Sequence, residues 1–186
     1  MLYSVVATYL VSQLSAEYAM RQGEKGKLTS NQIQDLLHDL FPSTGYEWVV
    51  ANILLAGLLG LLLYTSPRPL LRVFLEMSMI LILFRSVTTA VTVIPQVEQC
   101  NFKLGLPTHT CHDMMFSGHT AMGTLAYLFI WKYKLVTSTT LTMTTIALFS
   151  LYYSLIASRS HYTVDVLIGI LVAISIFYLY PKPEVY

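Results

Sequence analysis

Two short runs of residues carry groups able to handle a phosphate. The first, Phe116-Ser117-Gly118-His119-Thr120, opens an apolar stretch. At a helix start, such a run offers unpaired backbone N–H groups and the positive end of the helix dipole, which together hold anions. Gly118 lets the backbone approach a phosphate closely, Ser117 adds a hydroxyl, and His119 stands where an imidazole gives or takes a proton. The same run also reads as an ordinary helix cap followed by a partly buried histidine. The second run is His161-Tyr162-Thr163-Val164-Asp165. A histidine and an aspartate four residues apart are expected on one helix face, about 6 Å apart along the axis. There Asp165 fixes the tautomer of His161 and leaves the other ring nitrogen nucleophilic. An interfacial ion pair is the plainer alternative.

A third feature is Arg85, set in the middle of an apolar helix with Thr88, Thr89 and Thr92 following at helical spacing. A charge at that depth costs about 2.5–3.5 kcal/mol on insertion scales, so it needs compensation. Phosphate suits it, because a guanidinium donates two parallel hydrogen bonds; a salt bridge to Glu76 or Asp113 would serve equally. Two histidines, one acid partner and a phosphate cradle make the set required for double-displacement phosphoryl transfer. The cradle is expected to comprise Arg85, Ser117, Gly118 and Asp113. A metal site from His109, His112 and His119 lacks a clear ligand pattern, and a phosphohistidine route needs no metal. Neither metal nor cofactor is therefore expected.

The elements that must position these groups are helices in a bilayer. Of 186 residues, 55% are hydrophobic and only 11% charged, against about 25% charged in a soluble domain. The apolar residues fall in long blocks, the bilayer pattern. Net charge is +1, which gives no field to attract nucleic acid. Spans are expected at Leu2–Ala19 (the weakest), Tyr46–Tyr64, Leu71–Ile94, Phe116–Lys132, Leu141–Ala157 and Val164–Tyr180. Between the first two lies a polar segment, broken by Gly23, Gly26 and Gly45, with a short amphipathic piece at Asn31–Phe41 suited to the interface. Ser66-Pro67-Arg68-Pro69 reads as a tight turn. The fold expected is all-α: a polytopic membrane protein, one six-transmembrane-helix bundle, with residues 1–186 forming a single catalytic domain.

That topology puts both termini on one side and His119, His161, Asp165 and the Cys100–Cys111 loop on one membrane face. Lysine and arginine do not choose the side. Arg68, Arg72, Lys132, Lys134 and Lys182 balance Arg21, Lys25, Lys27, Lys103 and Arg159. The first apolar stretch lacks the charged n-region and cleavage pattern of a secretory signal, so it is expected to be retained. Cys100 and Cys111 share one loop; in an oxidising compartment they could form a disulfide or stay apart, and in the cytosol they stay thiols.

The same residues resemble the sphingomyelin synthase family, within the type 2 phosphatidic acid phosphatase superfamily. Its Cys-x-Asp-x-x-Phe-Ser-Gly-His-Thr motif is matched by Cys111 to Thr120, and its His-Tyr-Thr-x-Asp-Val motif by His161 to Val166. Its arginine-bearing third helix is similar to Arg85 through Pro95. The likeness runs from about Asp35 to Tyr180. His112 stands where the family usually has glycine, and Asp35 to Pro42 matches its acidic-proline motif loosely. What the resemblance implies is a six-helix enzyme moving phosphocholine or phosphoethanolamine from a glycerophospholipid to ceramide or a diacylglycerol-type alcohol. By position, His161 is the nucleophile, Asp165 its orienter and His119 the acid and base. It further implies cytosolic termini, a site on the lumenal or extracytoplasmic side of a Golgi, endoplasmic reticulum or plasma membrane, and room for a Cys100–Cys111 disulfide. A lipid phosphatase or phospholipase C-like hydrolase would use the same groups with water as acceptor. A non-catalytic lipid-binding protein would not need the full set. Lipids are the expected partners, and a homo-oligomer is compatible with all of this.

Overall fold

The computed structural model describes residues 2–26, 35–43, 45–92 and 115–181. Among them the chain is all-helical: α1 (Leu2–Gly26), α2 (Leu36–Leu40), α3 (Glu47–Thr65), α4 (Arg68–Val91), α5 (Gly118–Lys132), α6 (Ser138–Ala157) and α7 (Thr163–Leu179). The six long helices overlap the six apolar stretches of the sequence, with ends that differ by up to seven residues; the end expected at Ile94 lies outside the described residues. Of these, α3 and α6 are long and apolar enough to cross a membrane, while α7 is apolar but shorter.

The helix ends follow local chemistry. Ser117 and Thr137 cap α5 and α6, their side-chain oxygens accepting from Thr120 N and Thr140 N. The turn expected at Ser66–Pro69 is shorter than anticipated: Arg68 and Pro69 already belong to the first turn of α4. Proline is tolerated there, since the first turn's N–H groups have no intrahelical partner. The first helix also runs past Ala19 to Gly26, through residues read as a polar linker, with an Arg21–Glu17 pair one turn apart supporting the extension. Gly45 turns the chain into α3 at φ +89°, and its N–H donates to Glu47 Oε2 at 2.9 Å.

At the centre lies α5, which packs against α3, α4, α6 and α7, while α1 lies along α4. Phe129 of α5 meets Phe74 of α4 and Phe177 of α7 edge to face at 5.3 and 5.4 Å, the geometry ring quadrupoles favour. Small residues bring the backbones together. A Cβ on Gly123 would stand 2.6 Å from Leu151 of α6, and one on Gly169 of α7 would stand 2.9 Å from the Ser117 carbonyl. Close helix approach through glycine is the packing mode of bilayer bundles. The outward faces are apolar: Val49, Val50 and Ile53 of α3, Ile146 and Phe149 of α6, and Leu167 and Leu171 of α7 are exposed.

Gly169→Ala is therefore expected to force α7 off α5 and lower stability by about 1–3 kcal/mol, the range for overpacking. Thermal unfolding in detergent micelles checks this against Gly57→Ala, where a Cβ would meet nothing within 4 Å. Only the first should lower the midpoint.

Candidate active site

The start of α5 is held by its own sequence. Ser117 is fully buried and its Oγ accepts the Thr120 N–H at 3.2 Å. The helix-cap reading of this run therefore holds, and the oxygen expected to face a phosphate serves the helix end. Arg85 reaches across from α4 and donates from Nε to the Phe116 carbonyl at 3.2 Å. Gly118 gives it room, since a Cβ there would lie 3.1 Å from the same nitrogen. The arginine is thus docked on the motif's backbone. Glu76, one suggested ion-pair partner, pairs instead with Arg72 at 3.0 Å and accepts from the Tyr180 hydroxyl at 2.8 Å. The other, Asp113, lies outside the described residues, as do His109, His112, Cys100 and Cys111.

The second motif is arranged differently from the expectation. Helix α7 begins at Thr163 with Tyr162 as its N-cap, so His161 stands before the helix and shares no helix face with Asp165. The aspartate takes the third helical position, where its Oδ2 accepts the Tyr162 N–H at 3.0 Å; a carboxylate there also complements the dipole. That capping role sets where the helix starts. The loop geometry still brings the two side chains together, with His161 Nδ1 lying 3.7 Å from Asp165 Oδ2. This is ion-pair distance, longer than a hydrogen bond.

One backbone bond joins the two motifs. Ser117 N donates to the Asp165 carbonyl at 3.0 Å, clamping the start of α5 to the first turn of α7. His119 then lies within electrostatic reach of both His161 and Arg85. On its other side His119 Nε2 sits 3.2 Å from Asn52 Oδ1 of α3. Asp165 is fully buried, and His161 nearly so. Three buried polar atoms without a hydrogen-bond partner gather here: Thr120 Oγ1, His161 Nδ1 and Asp165 Oδ1. Each such group costs about 1–3 kcal/mol, so the penalty is concentrated where the motifs meet. Among the described residues, no three His, Cys, Asp or Glu side chains gather as a metal would require.

The segment before α3 forms a clasp on the His161 loop. Asp35 Oδ2 accepts the Thr163 N–H at 2.5 Å and Oδ1 the Thr163 hydroxyl at 2.6 Å. Buried His38 donates from Nε2 to the His161 carbonyl at 2.9 Å and stacks on Tyr162 with ring centroids 5.8 Å apart. Burial, with Asp165 and Asp35 nearby, raises the Tyr162 phenol above its ordinary range, so the ring against His38 stays neutral. The described part of the amphipathic piece thus turns a polar residue inward, while Leu36 and Leu40 are exposed. Asp35, His38 and Asn52 were not singled out as site residues. A lone asparagine in an otherwise apolar span was the available signal for Asn52; for the clasp it was the loose acidic-proline match.

Asp35→Ala removes the acceptor of both Thr163 bonds and leaves Thr163 N–H unmet. It is expected to lower kcat of the reaction proposed below by about 10- to 100-fold, the worth of one charge-assisted hydrogen bond. Steady-state kinetics of Asp35→Ala against Thr163→Val, which loses only the hydroxyl bond, should show the larger drop in the former.

Residues 110–182 match the family described as PAP2 superfamily C-terminal. The chain is 42% identical over 69 residues to a phosphatidylethanolamine:ceramide ethanolaminephosphotransferase of Trypanosoma brucei brucei, covering 36% of this chain and 21% of that protein. It is 41% identical over 68 residues to a phosphatidylinositol:ceramide inositolphosphotransferase of Trypanosoma cruzi (strain CL Brener), covering 36% and 20%. A protein of the same description from Leishmania major is 38% identical over 76 residues, covering 40% and 22%. The matches span about a fifth of the length of these curated relatives. Residues 110–182 thus resemble the PAP2 superfamily, and the likeness to these ceramide phosphotransferases supports the sphingomyelin synthase-like family suspected from the two motifs.

Proposed function

We propose that the chain is a polytopic membrane enzyme, six helices crossing the bilayer as one catalytic domain, that moves a phospho-head group from a glycerophospholipid to ceramide. The observation that carries this reading is the Ser117 N to Asp165 carbonyl bond, which holds two motifs with phosphoryl-transfer chemistry at a single place. In the reaction, His161 Nε2 attacks phosphorus. The P–N bond forms as the P–O bond to diacylglycerol breaks, and His119 protonates the departing oxygen. In the second half, His119 takes the proton of the ceramide hydroxyl, whose oxygen attacks phosphorus and releases His161. Asp165 orients His161 through Nδ1; its 3.7 Å separation closes by a small side-chain rotation, as catalytic contacts often do on substrate binding. Arg85, docked on the Phe116 carbonyl at the start of α5, supplies the cation of the cradle, and Gly118 leaves room beside it. Asp113, carried by its place in the first motif, completes the phosphate set. No step calls for a metal or cofactor.

Crossing the membrane is supported by the apolar outer faces of α3, α6 and α7 and by the superfamily. We propose cytosolic termini and a site on the lumenal or extracytoplasmic face, as the family resemblance implies, where Cys100 and Cys111 would be oxidised. As to the head group, relatives named for ethanolamine and for inositol transfer put phosphoinositol beside phosphoethanolamine and phosphocholine.

The test is transfer to fluorescent ceramide in liposomes carrying phosphatidylethanolamine, phosphatidylinositol or phosphatidylcholine, with purified protein. A new phospho-ceramide from one donor supports the reading and names the head group. Diacylglycerol release without a ceramide product would replace it with a hydrolase, and no change in any lipid would overturn it.

A further inference from the structure

We infer that Asn52 is a positioning residue that fixes the protonation geometry of His119, making Nδ1 the atom that exchanges protons with the lipid oxygens. The Asn52 amide has only one orientation open to it. Asn52 Nδ2 lies 2.8 Å from the Trp48 carbonyl oxygen, one turn back on α3. A carbonyl only accepts, so the NH2 group must face Trp48 and the amide oxygen must face outward. That oxygen, Oδ1, is 3.2 Å from His119 Nε2. An amide oxygen also only accepts, so Nε2 must carry a hydrogen. In neutral His119 the bare nitrogen is therefore Nδ1, and which nitrogen is bare is decided by the hydrogen bond the other one makes.

The placement fits a role beyond packing. Asn52 is a polar residue within the apolar stretch of α3, where such residues are rare and turn toward the interior. Its partner is on another helix, 67 residues away in sequence. The groups facing His119 come from three elements: Asn52 of α3, Arg85 of α4 and His161 ahead of α7. Of these, Asn52 is the one with an acceptor oxygen at hydrogen-bond distance from a ring nitrogen. The inference rests on the proposed transfer reaction for its meaning. There, Nδ1–H gives its proton to the diacylglycerol oxygen as the P–O bond breaks, and bare Nδ1 takes the ceramide hydroxyl proton in the next step.

The experiment uses full-length protein in nanodiscs, labelled with 15N histidine, with His119 signals assigned by their loss in His119→Gln. The expected result is Nε2-protonated, Nδ1-bare His119 in the wild type. Asn52→Leu should abolish that preference and lower kcat by about 10- to 100-fold, as loss of one hydrogen bond to a charged group allows, with KM changed less than about twofold. A ring protonated at both nitrogens is the acid form of the first half-reaction, whereas a wild-type ring protonated at Nδ1 and bare at Nε2 would overturn the inference, whatever the variant does. So would Asn52→Leu with tautomer and kcat both unchanged. The tautomer is read without turnover. A wild-type protein that transfers no head group but shows the fixed ring would sink the proposed reaction and leave Asn52 as the residue that sets His119.

Discussion

His161→Ala is expected to leave no measurable head-group transfer and no covalent phosphoenzyme. Removing a nucleophile that forms the intermediate costs about 10⁴-fold or more in comparable enzymes. The fold should survive the change. The bond from His38 is made to the His161 backbone carbonyl, which alanine keeps, and His161 Nδ1 has no hydrogen bond to lose. Labelled phospholipid offered to wild type should leave an acid-labile, alkali-stable label on the protein, absent from the variant. Normal turnover in His161→Ala would mean that the displacement runs through another group.

Asp165→Asn should slow the reaction by about 10²- to 10⁴-fold while the protein stays folded. The amide oxygen can still accept the Tyr162 N–H that Asp165 Oδ2 now takes at 3.0 Å, so α7 keeps its cap. What is lost is the charge that steadies a developing imidazolium on His161. Asp165→Ala differs, because it removes the cap as well and should cost about 1 kcal/mol of stability in addition. Comparing kcat and thermal midpoint for the pair separates the two tasks of one carboxylate: the asparagine variant should lose rate alone, the alanine variant both.

Most of the helices were legible because long apolar blocks announce themselves. The start of α6 at Ser138 and of α4 at Arg68 shows where this fails: capping and proline set the first turn, and neither changes the apolar pattern. The Ser-Gly-His run was readable as both cap and site; Ser117 is the cap, with Arg85 docked on the backbone beside it, and the site reading belongs to the proposed function. The second motif misled in one respect. Spacing of four suggested a shared helix face, but Asp165 caps the helix and thereby puts His161 outside it. Asn52 and Asp35 carry no periodic signal. Their meaning lies in partners 67 and 128 residues away, and only the folded chain shows such pairings. Gly169 is similar: its need for a missing side chain comes from the Ser117 carbonyl of another helix.

The clasp also imposes an order on synthesis. Asp35 and His38 leave the ribosome long before the residues that accept them, Asp35 preceding Thr163 by 128 positions. At roughly 5–20 residues per second, that interval is about 6–25 s. During it a carboxylate and an imidazole have no partner from the C-terminal helix, and water at the membrane surface is the cheapest place for them. Docking of this segment must then follow formation of the last helix. The loop bearing His161 is fastened down only after the whole bundle exists, so under the proposed reaction a chain stalled before α7 would hold the start of α5 without its attacking group.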